Sequence, residues 1–210
     1  METFEVILAS ASPRRKELLE AEGIPFRVMA QDVDESLEPD LLAQPAEAVK
    51  KLAERKAGAA VQELLNENPT GVFMIIGSDT MVVLGTEVFG KPANFSQGKH
   101  MLSKLSGATH EVMTGVSIWM VASSADDPEK VSVGFRSFTE TSQVTFRNLS
   151  SDEIDAYLAT GEAYDKAGGY AIQGRAASFI SGVKGDIDTV IGLPVQRILR
   201  DFPELKGLGE

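Results

Sequence analysis

The chain has no cysteine, two histidines and a single tryptophan. Without cysteine there is no disulfide, no thiolate zinc site and no cysteine nucleophile. His100 and His110 cannot supply a histidine-rich metal centre. Positive charge is also scarce: 20 Lys and Arg stand against 31 Asp and Glu, a net charge of −11. A protein that grips a nucleic-acid backbone needs a basic face, so the charge balance argues against that class of partner and none is expected. One phosphorylated small molecule is not excluded, because a few well-placed Lys and Arg with a metal ion can hold it inside an acidic protein. No apolar run approaches the ~20 residues of a membrane span. The start, METFEVILAS, lacks the basic segment and long apolar run of a secretory signal. A soluble, cytoplasmic protein with no membrane partner is expected. The P-loop pattern G-x-x-x-x-G-K-[ST], the zinc pattern H-E-x-x-H and the nucleophile pattern G-x-S-x-G are all missing.

What is present reads as an ordinary globular chain. Its 210 residues are 43% apolar and 24% charged, enough to bury a core, and no linker or repeat divides it, so one domain over residues 1–210 is expected. Phe4, Val6 and Leu8 alternate as in a half-buried strand. Ser12-Pro13 is a helix start, with Ser as N-cap and Pro in the first turn; that helix should end at Gly23. A long helix is expected near 46–65 and a buried strand over 72–76. Gly85-Thr86 reads as a two-residue hairpin turn between 81–84 and 87–89. A helix near 96–105 stops at Gly107. Long strands follow near 111–121 and 131–147, joined by a polar loop, 122–130, that contains Pro128. Ser150 and Glu153 form a capping box for a helix that ends at Gly161. A strand is expected at 178–181 and a last helix over 194–202. Helices and strands mix without strict alternation, which points to an α/β fold with a mixed sheet.

Several short patterns could carry chemistry. Ser10-Ala11-Ser12-Pro13-Arg14-Arg15 sits where a strand hands over to a helix, where free N–H groups and the helix dipole favour an anion. Its hydroxyls and guanidinium groups suit phosphate oxygens; an ordinary capped helix with solvated arginines has the same residues. In Gly77-Ser78-Asp79-Thr80, Asp79 is expected at a strand end or bend, where a carboxylate can hold Mg²⁺ or take a proton from water, or simply bond its own turn. Lys56 shares a helical stripe with Val49, Ala53 and Ala60, so it points into a site or snorkels to water. Lys91, in Gly90-Lys91-Pro92, and Glu35, in the acidic run 32–35, are further candidates, as are Asp186 and Asp188. In the glycine-rich segment 166–174, Gln173 offers a donor and an acceptor suited to a base edge, whereas Tyr170 reads as a packed aromatic. His110 reads as structural.

Taken together and in order, LASASPRRKELL (8–19), AERKA (53–57), GSDTMVVLGTEVFGKP (77–92), MLSKLSGATHEVMTGV (101–116), YDKAGGYAIQG (164–174) and GDIDTVIGLP (185–194) resemble the Maf-like nucleoside triphosphate pyrophosphatases. The likeness runs from Leu8 to about Leu199, and six matched segments in one order are far more specific than any one of them.

The resemblance implies a mixed twisted sheet flanked by helices, in two lobes around a central substrate cleft, of the Maf/inosine-triphosphatase-like kind. It implies metal-dependent cleavage, with Mg²⁺ or Mn²⁺, between the α- and β-phosphates, and a homodimer in many members. By matched position, Asp79 is the proton acceptor and, with Glu35, a metal-binding carboxylate. Ser10, Arg14, Arg15, Glu35, Lys56 and Lys91 bind the substrate and its phosphates. Threonine after the key aspartate and a later I-Q-G run mark the branch that acts on dTTP and UTP, so Arg14, Thr80 and Gln173 form the specificity set. Arg175-Ala176-Ala177 departs from the glycine that often follows in the family, and bears on base selectivity rather than on the reaction.

Overall fold

The computed structural model describes residues 4–124 and 130–208. Its elements are β1 (Glu5–Leu8), α1 (Pro13–Ala21), β2 (Arg27–Val28), α2 (Pro39–Leu42), α3 (Pro45–Asn66), β3 (Gly71–Leu84), β4 (Glu87–Phe89), α4 (Phe95–Leu105), β5 (Thr109–Ser123), β6 (Val131–Phe146), α5 (Ser151–Leu158), β7 (Ile180–Lys184), α6 (Ile187–Ile191) and α7 (Val195–Asp201). One seven-stranded sheet runs β2-β1-β3-β5-β6-β7, with β4 pairing β3. The β1–β2 and β1–β3 pairs are parallel and the rest antiparallel, so the mixed α/β sheet expected from the sequence is present.

The three long strands, β3, β5 and β6, tie two lobes together. In the first lobe, buried Val6, Leu8, Met74, Ile76 and Ile118 meet Leu19 of α1 and Ile198 of α7 on one face. On the other face Ile7, Phe73, Ile75 and Val121 meet Ala57, Ala60, Val61 and Leu64 of α3. In the second lobe, Phe89, Leu102, Leu105, Phe146, Tyr157 and Phe179 form a separate core beneath α4 and α5. The alternation of strand residues is what lets one sheet bury both faces.

The approach of α3 to the sheet sets the site. Its buried face carries Ala48, Ala53, Ala57 and Ala60, small side chains that let two backbones come together. The sheet answers with glycines. A Cβ on Gly77 would lie 2.6 Å from the carbonyl oxygen of Ala53, and one on Gly115 would lie 2.5 Å from that of Val49. Gly115 is directly opposite Asp79 in the β3–β5 register. The helix therefore crosses the sheet beside Asp79, and Lys56 projects at that crossing.

Most sequence expectations hold. The capping box of α5 is formed, and Gly85 takes φ 62° in the hairpin turn. Ser12 is the N-cap of α1, but its side chain makes no capping bond. The chief correction concerns β3. It continues through Gly77-Ser78-Asp79-Thr80 to Leu84, so Asp79 stands inside a strand and not at its end or bend. Pairing with β5 over Gly71–Val83 keeps those polar residues extended. The strand expected at 178–181 begins at Ile180, because Arg175–Phe179 closes a short 3-10 turn first. In the loop expected over 122–130, Ala122 and Ser123 belong to β5, and residues 125–129, Pro128 included, lie outside the described residues. The two-residue β2 and the single turn α2 carry too little periodicity to be read in advance.

Replacing Gly115 by Ala forces a methyl group against helix backbone, which cannot step aside. The expected loss is about 1–3 kcal/mol, seen as a lower denaturation midpoint with an unchanged m-value. An unchanged midpoint would contradict the close helix–sheet contact.

Candidate active site

One edge of β3 is incompletely covered. Strand β5 pairs the other edge along its length, whereas β1 covers Phe73–Ile76 and β4 covers Val82–Leu84. Residues 77–81 lie in the gap between β1 and β4. The chain leaving β1 passes through Ser10 into the N-terminus of α1, and the chain leaving β4 passes through Lys91. Both matched segments are thus delivered to one opening by strand pairing alone.

A cavity of about 160 Å³ opens there, lined by Arg14, Arg15, Lys56, Asp79, Thr80 and Lys91 among others. Its apolar end is formed by Val82, Val112, Tyr170, Ile172 and Val190. A second chamber of about 750 Å³ shares Asp79, Thr80, Lys91 and Ala167 with it and adds Glu35, Leu52, Met81 and Phe89. Ligand sites of drug-sized molecules usually span ~300–1,000 Å³, so the two adjoining chambers offer room that the first alone does not.

The charged centre is a three-residue cluster. Lys56 Nζ donates to Asp79 Oδ1 and lies 2.7 Å from Glu35 Oε1. The Lys56 and Asp79 side chains are 16% and 13% exposed, so this pair is shielded from water, unlike the other ion pairs on the surface. The hydrogen bond from Lys56 is the main reason that the Glu35 carboxyl sits below its ordinary value. Glu35 comes from an irregular segment, and Arg55 of α3 pins that segment by donating to the carbonyl oxygens of Asp34 and Ser36 at 2.9 and 2.6 Å. One helix therefore places both the ammonium and the loop that carries its second carboxylate.

On the opposite face Arg15 acts as a clamp. Its Nε donates to Gly192 O at 2.8 Å, Nη1 to Ser10 Oγ at 3.1 Å and Nη2 to Thr80 Oγ1 at 3.3 Å. These bonds join α1, β3 and the end of α6. Three of its five N–H donors are engaged and the guanidinium still lines the cavity. Burial lowers the pKa of Arg15, with the field of Asp79 opposing that shift. Among the described residues no carboxylate lies within ion-pair distance of it, so it is a half-buried cation without a contacting counter-charge.

The remaining expected residues divide. Ser10 is buried and its hydroxyl accepts from Arg15 and from the Ser12 N–H, so it serves the arginine. Thr80 Oγ1 is 2.9 Å from Thr114 Oγ1 as well as bonded to Arg15. Arg14 faces Asp165 across the mouth at 3.9 Å. Lys91 is exposed and makes no ion pair among the described residues. Gln173 is exposed and outside the cavity lining, although its neighbour Ile172 lines it. Asp186 caps α6 by accepting from the N–H groups of Asp188 and Thr189 and lies outside the cleft. Lys166 of the glycine-rich segment and Asp165 before it, given no role from the sequence, line the cavity and pair at 2.6 Å. Arg55 carried no signal either, because its role depends on a loop contact that has no sequence signature.

Glu35 and Asp79 converge on one ammonium, a position from which both can also face a divalent cation. Among the described residues no group of three His, Cys, Asp or Glu could cage one. Two carboxylates with phosphate oxygens and water completing the sphere is the pattern that Mg²⁺ favours, so the residues fit.

Five cations around a shielded carboxylate, with an apolar wall at one end, have the charge to accept a polyphosphate ester. The family model described as "Maf-like protein" matches residues 5–205. A protein of Bacillus thuringiensis subsp. konkukian named "dTTP/UTP pyrophosphatase" is 40% identical over 200 residues, 95% of each chain. One of Desulforamulus reducens with the same name is 43% identical over 194 residues, 92% of each chain. A solved nucleoside-triphosphatase of Mycobacterium abscessus is 10% identical, covers 95% of this chain and 94% of its own, and has a TM-score of 0.39, too low to add to the argument. This chain belongs to the Maf-like family.

Lys56→Met removes the charge shared by the two carboxylates. The Glu35 pKa should rise towards its ordinary value, read by NMR titration of the side-chain carboxyl. Because Glu35 titrates low when folded, the stability it contributes is present above its unfolded pKa near 4.3 and is lost as pH falls through the folded value. An unmoved Glu35 titration would show that the contact is absent in solution.

Proposed function

We propose that this protein hydrolyses dTTP and UTP to the nucleoside monophosphate and pyrophosphate. The observation that carries the reading is the Lys56–Asp79–Glu35 cluster set in the gap of the β3 edge, within a cleft ringed by Arg14, Arg15 and Lys91. The names of relatives at 40% and 43% identity support the substrate class.

The base takes the apolar end of the cleft and the polyphosphate crosses the boundary between the two chambers. Asp79 orients the attacking water and accepts its proton, through the carboxylate oxygen not committed to Lys56. Lys56, Arg15, Arg14 and Lys91 stabilise charge that moves onto the pyrophosphate as the α–β bond breaks. Such fixed donors are each worth ~3 kcal/mol of barrier in a water-poor site. Ser10 supports the phosphate end by holding Arg15. Glu35 and Asp79 would hold a divalent cation, Mg²⁺ or Mn²⁺, which would supply further charge neutralisation at the phosphates. Arg14 and Thr80 line the cleft and Gln173 follows Ile172 of its lining; these three tune the choice of base, alongside the departure at Arg175-Ala176-Ala177.

The whole chain works as one unit in this reading, in the cytoplasm where the substrate pools lie, with no nucleic-acid partner. A homodimer belongs to the same proposal. Strand β6 is paired by β7 only from Gln143 onward, and Val133 and Phe135 on its open half are 46% and 57% exposed. An open apolar edge is a template for antiparallel pairing with a second copy. Sedimentation equilibrium should show a dimer that Phe135→Lys dissociates; a monomer at all concentrations would contradict it.

The direct test is product analysis with Mg²⁺ on dTTP, UTP, CTP, GTP and 7-methyl-GTP. Monophosphate and pyrophosphate, chiefly from dTTP and UTP, are expected, with turnover reduced at least about a hundredfold in Asp79→Asn. Diphosphate and orthophosphate, or tight binding without turnover, would contradict the reaction; full turnover by folded Asp79→Asn would contradict the role of Asp79.

A further inference from the structure

Behind the apolar end of the cleft lies a buried pair that the proposed chemistry does not use. His110 on β5 is 1% exposed, and its Nε2 is 2.6 Å from the hydroxyl of Tyr170. The two rings meet edge to face at 5.4 Å, and Phe146 packs edge to face against both, at 5.1 Å from His110 and 4.7 Å from Tyr170. Among the described residues His110 Nδ1 has no hydrogen-bond partner, and the tyrosine hydroxyl is the ring's one hydrogen-bonding contact. Burial pushes the imidazole down to about 4, which keeps it neutral near pH 7 and excludes it as a charged phosphate ligand.

Tyr170, unlike His110, lines the cleft. Its segment is pressed onto the second lobe: the Gly168 N–H donates to Gly90 O at 3.0 Å, and a Cβ at Gly168 would lie 3.0 Å from Val82. His110 and Val112 are two residues apart on β5, so they share a face of the strand. Val112 faces the cleft and His110 stands behind it, reaching the tyrosine that closes the same end.

We infer that His110 is a positioning residue for base recognition: by bonding the Tyr170 hydroxyl it fixes the aromatic wall against which the pyrimidine ring packs. This rests on the reading under Proposed function. A wall held by one buried hydrogen bond and a packed glycine loop keeps the depth of the cleft constant, and depth is what separates a one-ring base from a two-ring base. The pair touches neither Asp79 nor Lys56, so its effect falls on binding rather than on bond cleavage.

The test is steady-state kinetics with dTTP and GTP for wild type, Tyr170→Phe, His110→Phe and the double variant, each checked for a cooperative melt. Both single changes keep an aromatic ring and remove the bond. Each should raise KM for dTTP about three- to tenfold, the value of one buried hydrogen bond, with kcat within about twofold. Preference for dTTP over GTP should narrow, and the double variant should be no worse than the poorer single variant, since both remove one interaction. Folded variants with wild-type KM and preference would overturn the positioning role, as would a fall in kcat alone that tracks the folded fraction. A wild-type enzyme that turns over no pyrimidine triphosphate would instead overturn the functional reading on which the base end rests.

Discussion

The site depends on how closely α3 can lie on the sheet. Gly77 and Gly115 leave no side chain between helix and strands, and the alanines of α3 complete the fit. A helix held off by ordinary side chains would sit further away, and Lys56 could not reach Asp79. That contact places a cation and a carboxylate together in a region 13–16% exposed, where their field acts over the cleft instead of being screened by water. Arg55, on the same helix, adds Glu35 to the cluster.

A second constraint is the break in the edge of β3. Strands β1 and β4 cover different stretches of one edge, and the uncovered residues between them include Asp79 and Thr80. Successive residues of a strand face opposite sides, so Asp79 meets α3 while Thr80 meets Arg15 and Thr114. The open edge lets one cleft use both sides of the sheet: the Lys56 cluster from one face and the Arg15 clamp from the other. Among the described residues half-buried Arg15 has no contacting carboxylate, and the acidic cluster has no contacting cation beyond Lys56. A metal–polyphosphate complex carries both missing charges, which is why such a site can serve an anionic substrate within a protein of net charge −11.

Much of this was legible in the sequence. The periodicity of α3, the capping box at Ser150 and Glu153, the hairpin at Gly85-Thr86 and the long strands all follow from local rules, and local rules held there because packing agreed with them. The order of six matched segments identified the family and the cluster residues. What could not be read depends on contacts between distant segments. Polar Gly77-Ser78-Asp79-Thr80 looks like a strand end until β5 is seen pairing across it. That Arg15 bonds both Ser10 and Thr80, and that His110 bonds Tyr170, has no signature in the sequence. Gln173 matches its family position, yet it is exposed and outside the cavity lining.

The central claim is that this geometry directs water at the α-phosphorus, with pyrophosphate leaving toward the cations. Hydrolysis of dTTP in ¹⁸O-labelled water, followed by mass analysis of both products, tests it most directly. The account predicts the label in the monophosphate and none in the pyrophosphate. Label in the pyrophosphate would mean attack at the β-phosphorus, and would contradict the placement of Asp79 as the group that activates water.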